Sequence, residues 1–541
     1  MHRSHRRRPL RWVPALAALA VAPTLLAACG SGGSADAGSA AAAPRSGGTL
    51  TFAVGSDAGC VDPQQVGSND TIYSMRQLVD SLTDQDPRTG AIVPWLARSW
   101  EISPDARTFT FHLRPGATFS DGAPVDAHAV KATFDAVPHL GVLGQLAVGY
   151  LSGYTGTTVV DDLTARVGFA QPNAQFLQAS STFSLGLVSP ASAAKTPQQR
   201  CSQGVAGSGS FTLAKYVPGQ SITLTRRAGY GWGSSLWAKK GEAYLDSAVF
   251  RIVPESGVRT GSLVSGQLDA IGSVGRADEA ALRGAGVALQ ARANPGVVFG
   301  LSLNNSRPLL GDARVRQAIL FAVNRGQIAD TVFPTGTRPA TSVLAHTTPY
   351  YTDLGAQLRF DQARARALLD EAGWRAGPDG VRSKDGVPLR LTITWGPVAA
   401  TNQPALELVQ QQLRAVGVTV VLHQIPISQF GAIQRTSDFD ALWGNITRAD
   451  PDILRTSFST TLLNTYRLAP SELDTVLTDQ AAQPDPTKRR ALVDRAQRLI
   501  VANAYTVPVV ELQTELGVSK KVHGLAFEAS SRIQLHDTWK G

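Results

Sequence analysis

Ser192-Ala193-Ala194-Lys195 sets a lysine three residues after a serine, a spacing at which an amine one turn away could take a hydroxyl proton. The supporting Lys-Thr-Gly is missing, and Lys195-Thr196-Pro197 is the nearest match. No GxSxG, HExxH or carboxylate pair of diagnostic spacing accompanies it. A chain rich in Ser and Ala produces SxxK by chance, so an exported SxxK-type hydrolase ranks behind a protein that is not an enzyme. Beyond His2 and His5, the histidines are scattered from His112 to His536 without ligand spacing. The cysteines, Cys29, Cys60 and Cys201, form no CxxC. We therefore expect no metal and no cofactor. No Gly-Lys dipeptide occurs, so the chain has no Walker A loop of its own.

The elements that must position any site read as α/β. GTLTFAV (48–54) and RTFTFHL (107–113) are rich in β formers, and TTVVDDLTARVGF (157–169) reads as a hairpin turning near Asp161-Asp162. Asp312 can cap a helix with Val315, Ala318, Ile319, Ala322 and Val323 on its apolar face. Asp361 can cap another that carries Leu368 and Leu369 and stops at Gly373. LRLTITW (389–395), a helix over 404–416 and VTVVL (418–422) make a strand–helix–strand crossover, which implies parallel pairing. A helix over about 487–503 and a strand TVPVVEL (506–512) follow.

The 541 residues suffice for two to four domains. Five arginines before Cys29 carry more than half of the formal +9, and the remainder shows no basic run, so nucleic acid is not an expected partner. Residues 1–11 are basic and 12–28 are apolar and uncharged, the two regions of an export signal. Pro14, Pro23 and a length at the lower limit argue against a membrane span. Leu26-Ala27-Ala28-Cys29 resembles a bacterial lipobox. That resemblance implies removal of residues 1–28, acylation of Cys29 and anchoring to the outer face of the cell membrane. Residues 29–46, dominated by Gly, Ser and Ala, then form a flexible tether. His5–Arg11 partly resembles a twin-arginine export motif, and the export route stays open. In oxidising surroundings Cys60 and Cys201 are expected to form a disulfide, two buried thiols being the alternative.

Five motifs then follow in order. They are LVDSLTDQDPRTGAIVPWLARSWEISPDARTFTFHLRPGATFSDGAPVDAHAV (78–130), GSLVSGQLDAI (261–271), FGLSLNNSRPLLGDARVRQAILFAVNR (299–325), FDQARARALLDEAGW (360–374) and DGVRSKDGVPLRLTITW (379–395). With them the chain resembles, over roughly 47–541, the extracytoplasmic solute-binding proteins of ABC importers, family 5, the peptide/nickel type. The resemblance implies a class II, two-lobe periplasmic-binding-protein-like α/β fold with mixed sheets joined by hinge strands. Lobe I would hold 47–300 plus 505–541, with an extra subdomain at about 95–200, and lobe II would hold 301–504. The crossings would lie near Gly300–Asn304 and Tyr505–Val509. The implied protein is a monomer that captures an oligopeptide or a peptide-like, amphiphilic small molecule by lobe closure and delivers it to an ABC permease. A surface receptor that senses the solute is the alternative. Read on their own chemistry, Pro94, Trp95, Leu96 and Trp100 are packing residues.

Peptide-binding members resemble one another at a segment in which an Asp three residues after a Trp anchors the peptide amino group, shortly before Asp-Pro. Here the segment is DALWGNITRADPDIL (440–454). Trp443 and Asp450-Pro451 match, but Ile446 stands at the anchor position and the spacing to Asp-Pro is one residue longer. An apolar side chain cannot pair with an ammonium, so no ordinary dipeptide preference is expected. Ligand-binding candidates are Trp443, Asn445, Arg448 and Asp450 on this loop, with Ser273 after the Asp269 strand. For Asp450 the structural alternative is an Asp-Pro turn, and for Trp443 it is packing beneath the pocket.

Overall fold

In the computed structural model, residues 43–396, 401–462 and 464–541 are described. The export segment 1–28, Cys29 and the tether up to residue 42 lie outside them. Two large mixed sheets organise the chain. In the first, seven strands run in the order Ala288–Ala293, Gln513–Val518, Ala270–Ile271, Thr49–Val54, Ser247–Ile252, Ser221–Arg226 and Phe211–Val217. Thr49–Val54 pairs in parallel with both neighbours, setting Phe52 opposite Phe250 and Ala270. Both faces of this strand must therefore be covered, and Leu50, Phe52, Ala53 and Val54 are buried.

The second sheet has five strands, in the order Thr419–Gln424, Arg390–Trp395, Ala441–Thr447, Gly296–Leu303 and Thr506–Val510. Arg390–Trp395 and Thr419–Gln424 are parallel and joined by the helix Asn402–Arg414. Leu406, Val409, Leu413 and Val416 on that connection are buried against the sheet, as their helical spacing requires. Asp312 and Asp361 cap the helices Ala313–Ala322 and Gln362–Glu371 by accepting from the backbone N–H of Arg314 (2.9 Å) and Arg364 (2.8 Å).

A third, antiparallel sheet comprises Ala97–Ile102, Thr108–Leu113, Thr164–Phe169 and Tyr154–Asp161, and includes the hairpin read at 157–169. Phe176 fills its core, with its ring 4.8 Å from Phe169 and 5.0 Å from Phe109. Trp95 is fully buried in the same cluster, while Trp100 is partly buried. Cys60 and Cys201 are joined in a disulfide that ties an N-terminal loop to the helix Pro197–Gln203. Beside it the buried Arg200 pairs with the buried Asp62 at 2.9 Å.

The backbone passes between the two large sheets at Asn294–Pro295 and at Glu511–Leu512. Gly300–Asn304 and Tyr505–Val509, the expected crossings, lie in or beside strands of the second sheet instead. The reason is visible in the side chains. The apolar runs Val297–Leu303 and Val507–Val510 stay in one sheet, and the chain changes sheets where polar residues can satisfy one another. The Asn294 N–H donates to the Leu512 carbonyl at 2.8 Å, and the Thr514 hydroxyl donates to Asn294 Oδ1 at 2.8 Å. The two passages thus run side by side as a narrow hydrogen-bonded ribbon.

Candidate functional site

The strand Ala441–Thr447 ends at this ribbon. The N–H of the next residue, Arg448, donates to the Pro295 carbonyl at 3.0 Å. Gly296 has φ +108°, and a Cβ there would collide with the Ile446 carbonyl, so only glycine allows this approach. From that fixed backbone the Arg448 side chain leaves the second sheet and reaches the first half of the molecule. Its guanidinium carbon lies 4.4 Å from the centre of the Tyr150 ring, at the end of the helix Gln145–Tyr150. Gly149 leaves room for it: a Cβ there would stand 3.0 Å from Nη2.

Arg448 is only 6% exposed, yet its Nε and Nη1 have no hydrogen-bond partner. It makes no ion pair with any described residue. A buried guanidinium cannot shed its charge as a carboxyl can, so it needs a partner. Tyr150 is buried too. Burial pushes its hydroxyl above the usual phenol range, and the nearby charges of Arg448 and Arg532 pull against that. Arg532, from the C-terminal segment, is 5% exposed and stacks near Phe183, with its Nη1 donating to the Ser530 carbonyl and its Nε unpartnered. Burial holds its pKa below the ordinary arginine value, and Tyr150 and then Glu528 act against this. Tyr73, buried and electrostatically coupled to Arg532, has its hydroxyl raised, first by burial and then by Asp70.

A second contact between the halves lies on the loop before the helix Phe176–Ala179. The Ala174 N–H donates to the carbonyl of Ala481, at the end of the helix Glu472–Ala482, at 2.8 Å. Its neighbours Asn173 and Gln175 are buried with both side-chain amide atoms unpartnered. The two halves are thus in contact, and near the contacts stand several buried polar groups without partners, although such groups are normally satisfied.

The other residues singled out in the sequence have different surroundings. Trp443 is buried in the core of the second sheet, edge-on to Phe299 at 4.8 Å, with its indole N–H donating to Asn402 Oδ1 at 3.3 Å. The Asn445 amide donates to the Thr447 hydroxyl. Asp450 is occupied: Arg489 reaches both its oxygens, at 2.9 and 2.5 Å, and its Oδ1 also accepts from the Asp452 N–H. Ser273 (φ +55°) sits on the first half, its hydroxyl 3.4 Å from Asp70, and no described contact joins it to Arg448. Ile446 is half-buried and packs with Leu442 and Val297. Tyr150, Arg532, Asn173 and Gln175 carried no local signal, because nothing in their neighbouring residues marks them.

Ser192 and Lys195 do not engage one another. Ser192 Oγ accepts from the Ser189 hydroxyl and the Ala206 N–H, and the Lys195 ammonium lies by the Gly204 carbonyl. Beside the crossings lies a cavity of about 300 Å³, lined in part by Arg292, Arg338, His346 and Glu511. Its buried Glu511 carboxylate is already taken by the His346 N–H and ring. Among the described residues no three His, Cys, Asp or Glu side chains gather as a metal site, and no helix is long and apolar enough to cross a membrane.

Two sheets linked by a double crossing, with unpartnered polar groups where the halves meet, define a cleft-type solute-binding fold. Residues 91–462 match the family described as bacterial extracellular solute-binding proteins, family 5 middle, and the chain belongs to that family. It is 27% identical over 404 residues to the nickel-binding periplasmic protein of Escherichia coli (strain K12), covering 71% of this chain and 74% of the relative. It is 27% identical over 498 residues to the glutathione-binding protein GsiB of Salmonella paratyphi A, covering 88% and 91%. In structure it is similar to NikA from Brucella suis in complex with Fe(III)-EDTA (TM-score 0.79, 24% identity, covering 91% of this chain and 100% of that one). It is also similar to the oligopeptide-binding protein AppA from Bacillus subtilis in complex with a nonapeptide (TM-score 0.76, 17% identity, 92% and 100%). The fold is therefore the two-lobe, family-5 α/β type. The chain is an extracytoplasmic solute-binding protein of the ABC-importer class, and not an enzyme.

Proposed function

We propose that this chain captures a peptide-like or other small solute between two lobes and hands it to an ABC permease, while a lipid on Cys29 holds it to the outer face of the membrane. Lobe I comprises the seven-stranded sheet with the subdomain at about 95–200, and lobe II the five-stranded sheet. The pivot is the ribbon at Asn294–Pro295 and Glu511–Leu512, two short extended segments suited to absorbing a dihedral change. Solute contacts drawn from both lobes exist only when the lobes are shut, so binding shifts the population towards closure. Moving that equilibrium from 1:99 to 99:1 takes about 5.5 kcal/mol of differential affinity. The name of the glutathione-binding relative supports a small peptide as cargo.

One observation carries this reading: Arg448 spans from the second sheet to Tyr150 on the first half and leaves two buried donors unused. The test is to purify the protein gently, denature it and identify the released small molecules by mass spectrometry, then measure uptake of the identified compound in cells with and without the gene. A co-purified solute whose uptake falls on deletion is the expected result, and uptake unchanged by deletion contradicts transport. The Cys29→Ala protein should leave the membrane fraction and appear in the soluble one, and retention in the membrane would refute the anchor.

A further inference from the structure

Charge at the meeting of the lobes bears on the class of solute. Arg448 stands two residues after Ile446 on the segment where a carboxylate would receive an ammonium, and the acids that follow it are taken, Asp450 by Arg489 and Asp452 by Arg455 and Gln480. The charged groups left unpaired are Nε and Nη1 of Arg448 and Nε of Arg532, on residues 6% and 5% exposed. Arg448 lies over the Tyr150 ring, while Arg532, from the other lobe, lies near the Phe183 ring. Glu528, the carboxylate that acts on Arg532, is already paired with Arg76. A buried guanidinium presents parallel N–H donors in a fork that matches the two oxygens of an oxyanion. An ammonium placed beside Arg448 would meet a like charge, and the carboxylates that follow it in the chain are already paired.

We infer that the solute is acidic at its enclosed end, and that a carboxylate or phosphate-type oxyanion is received by Arg448. This rests on the capture function proposed above and adds the sign of the charge.

The probe is conditioned bacterial growth medium split on strong anion- and cation-exchange resins. Each desalted fraction is offered to the full-length protein, with the shift in melting temperature and the mass of the released solute as readouts. The protein should take its solute from the anion-exchange-retained fraction. Accurate mass and phosphorus content then distinguish a carboxylate from a phosphate. Arg448→Met should weaken capture about tenfold to a hundredfold, as loss of a charge-assisted hydrogen bond does, and Arg448→Lys should recover part of it. Capture only from the cation-retained or unretained fraction would overturn the acidic-solute inference and leave solute capture standing, as would undiminished affinity in Arg448→Met. Capture from no fraction would overturn the capture function itself. If Arg448→Met fails to fold, Arg448→Gln and Arg448→Lys decide the point, because both keep a hydrogen-bonding head without the fork.

Discussion

Two buried arginines with opposite circumstances lie within one neighbourhood of the second lobe. Arg489 is enclosed in a network that satisfies it. It holds both oxygens of Asp450 and the Gln480 carbonyl, while Gln480 and Arg455 hold Asp452. Arg448, reached two residues before Asp450, is as deeply buried and has no carboxylate. The first arrangement keeps its charges paired at all times and so builds the lobe. The second leaves a charge desolvated with its partner missing, which costs stability unless something else supplies that partner. The difference separates residues that hold a loop in place from one that the loop presents.

The strongest way to break this contrast is Asp450→Ala. It leaves Arg489 buried without its carboxylate and should cost about 3–5 kcal/mol in urea unfolding. A loss under about 1 kcal/mol would mean that the network is not structural and that Asp450 is free for ligand. Arg448→Met should do the reverse. Stability without solute should hold or rise by about 1 kcal/mol, because an unpaired buried charge is removed, while solute capture weakens about tenfold to a hundredfold. A destabilisation comparable to that of Asp450→Ala would put Arg448 in the structural class.

Glu515 sharpens the comparison from the other side. It is buried with Oε2 unpartnered, and burial, reinforced by Glu279, pushes its carboxyl up from 4.5 to about 7, against the charge of Arg283. A carboxyl can escape the cost of burial by taking a proton, and Arg448 cannot. Between about pH 4.5 and 7 the folded state therefore holds this proton more tightly than the unfolded state does. The stability from that proton is complete below pH 4.5 and is lost as pH rises through about 7. Glu515→Gln should flatten part of the fall in melting temperature between pH 5 and 8 and be the more stable form at pH 8. Asp80 and Asp84, raised by burial to about 7 and about 6, keep a residual slope of the same sign. Identical pH profiles for wild type and Glu515→Gln would refute the assignment.

Much of the fold was legible. Cap residues such as Asp312 and Asp361, and the apolar spacing over 404–416, report local geometry that tertiary packing then preserves. The crossings were displaced by several residues because TVPVVEL reads as one extended run, whereas the chain changes sheets at Glu511 within it. Strand propensity carries no information about which sheet a strand joins. At the site, the loop 440–454 was legible through its likeness to peptide binders, but which of its candidates is left without a partner was not. Of the candidates on this loop, Trp443 packs against Phe299, whereas Arg448 is the unpartnered group. What distinguishes them is Tyr150, which approaches Arg448 from a distant part of the chain and leaves no trace in local spacing.

Spin labels placed by Val258→Cys on lobe I and Val387→Cys on lobe II, both exposed, report the angle between the lobes through their distance distribution. With the Cys60–Cys201 disulfide intact, the solute-bearing anion-exchange fraction should shorten and narrow that distribution in the wild type and leave it broad in Arg448→Met. A wild-type distribution that is the same with and without that fraction would contradict closure around an acid held by Arg448.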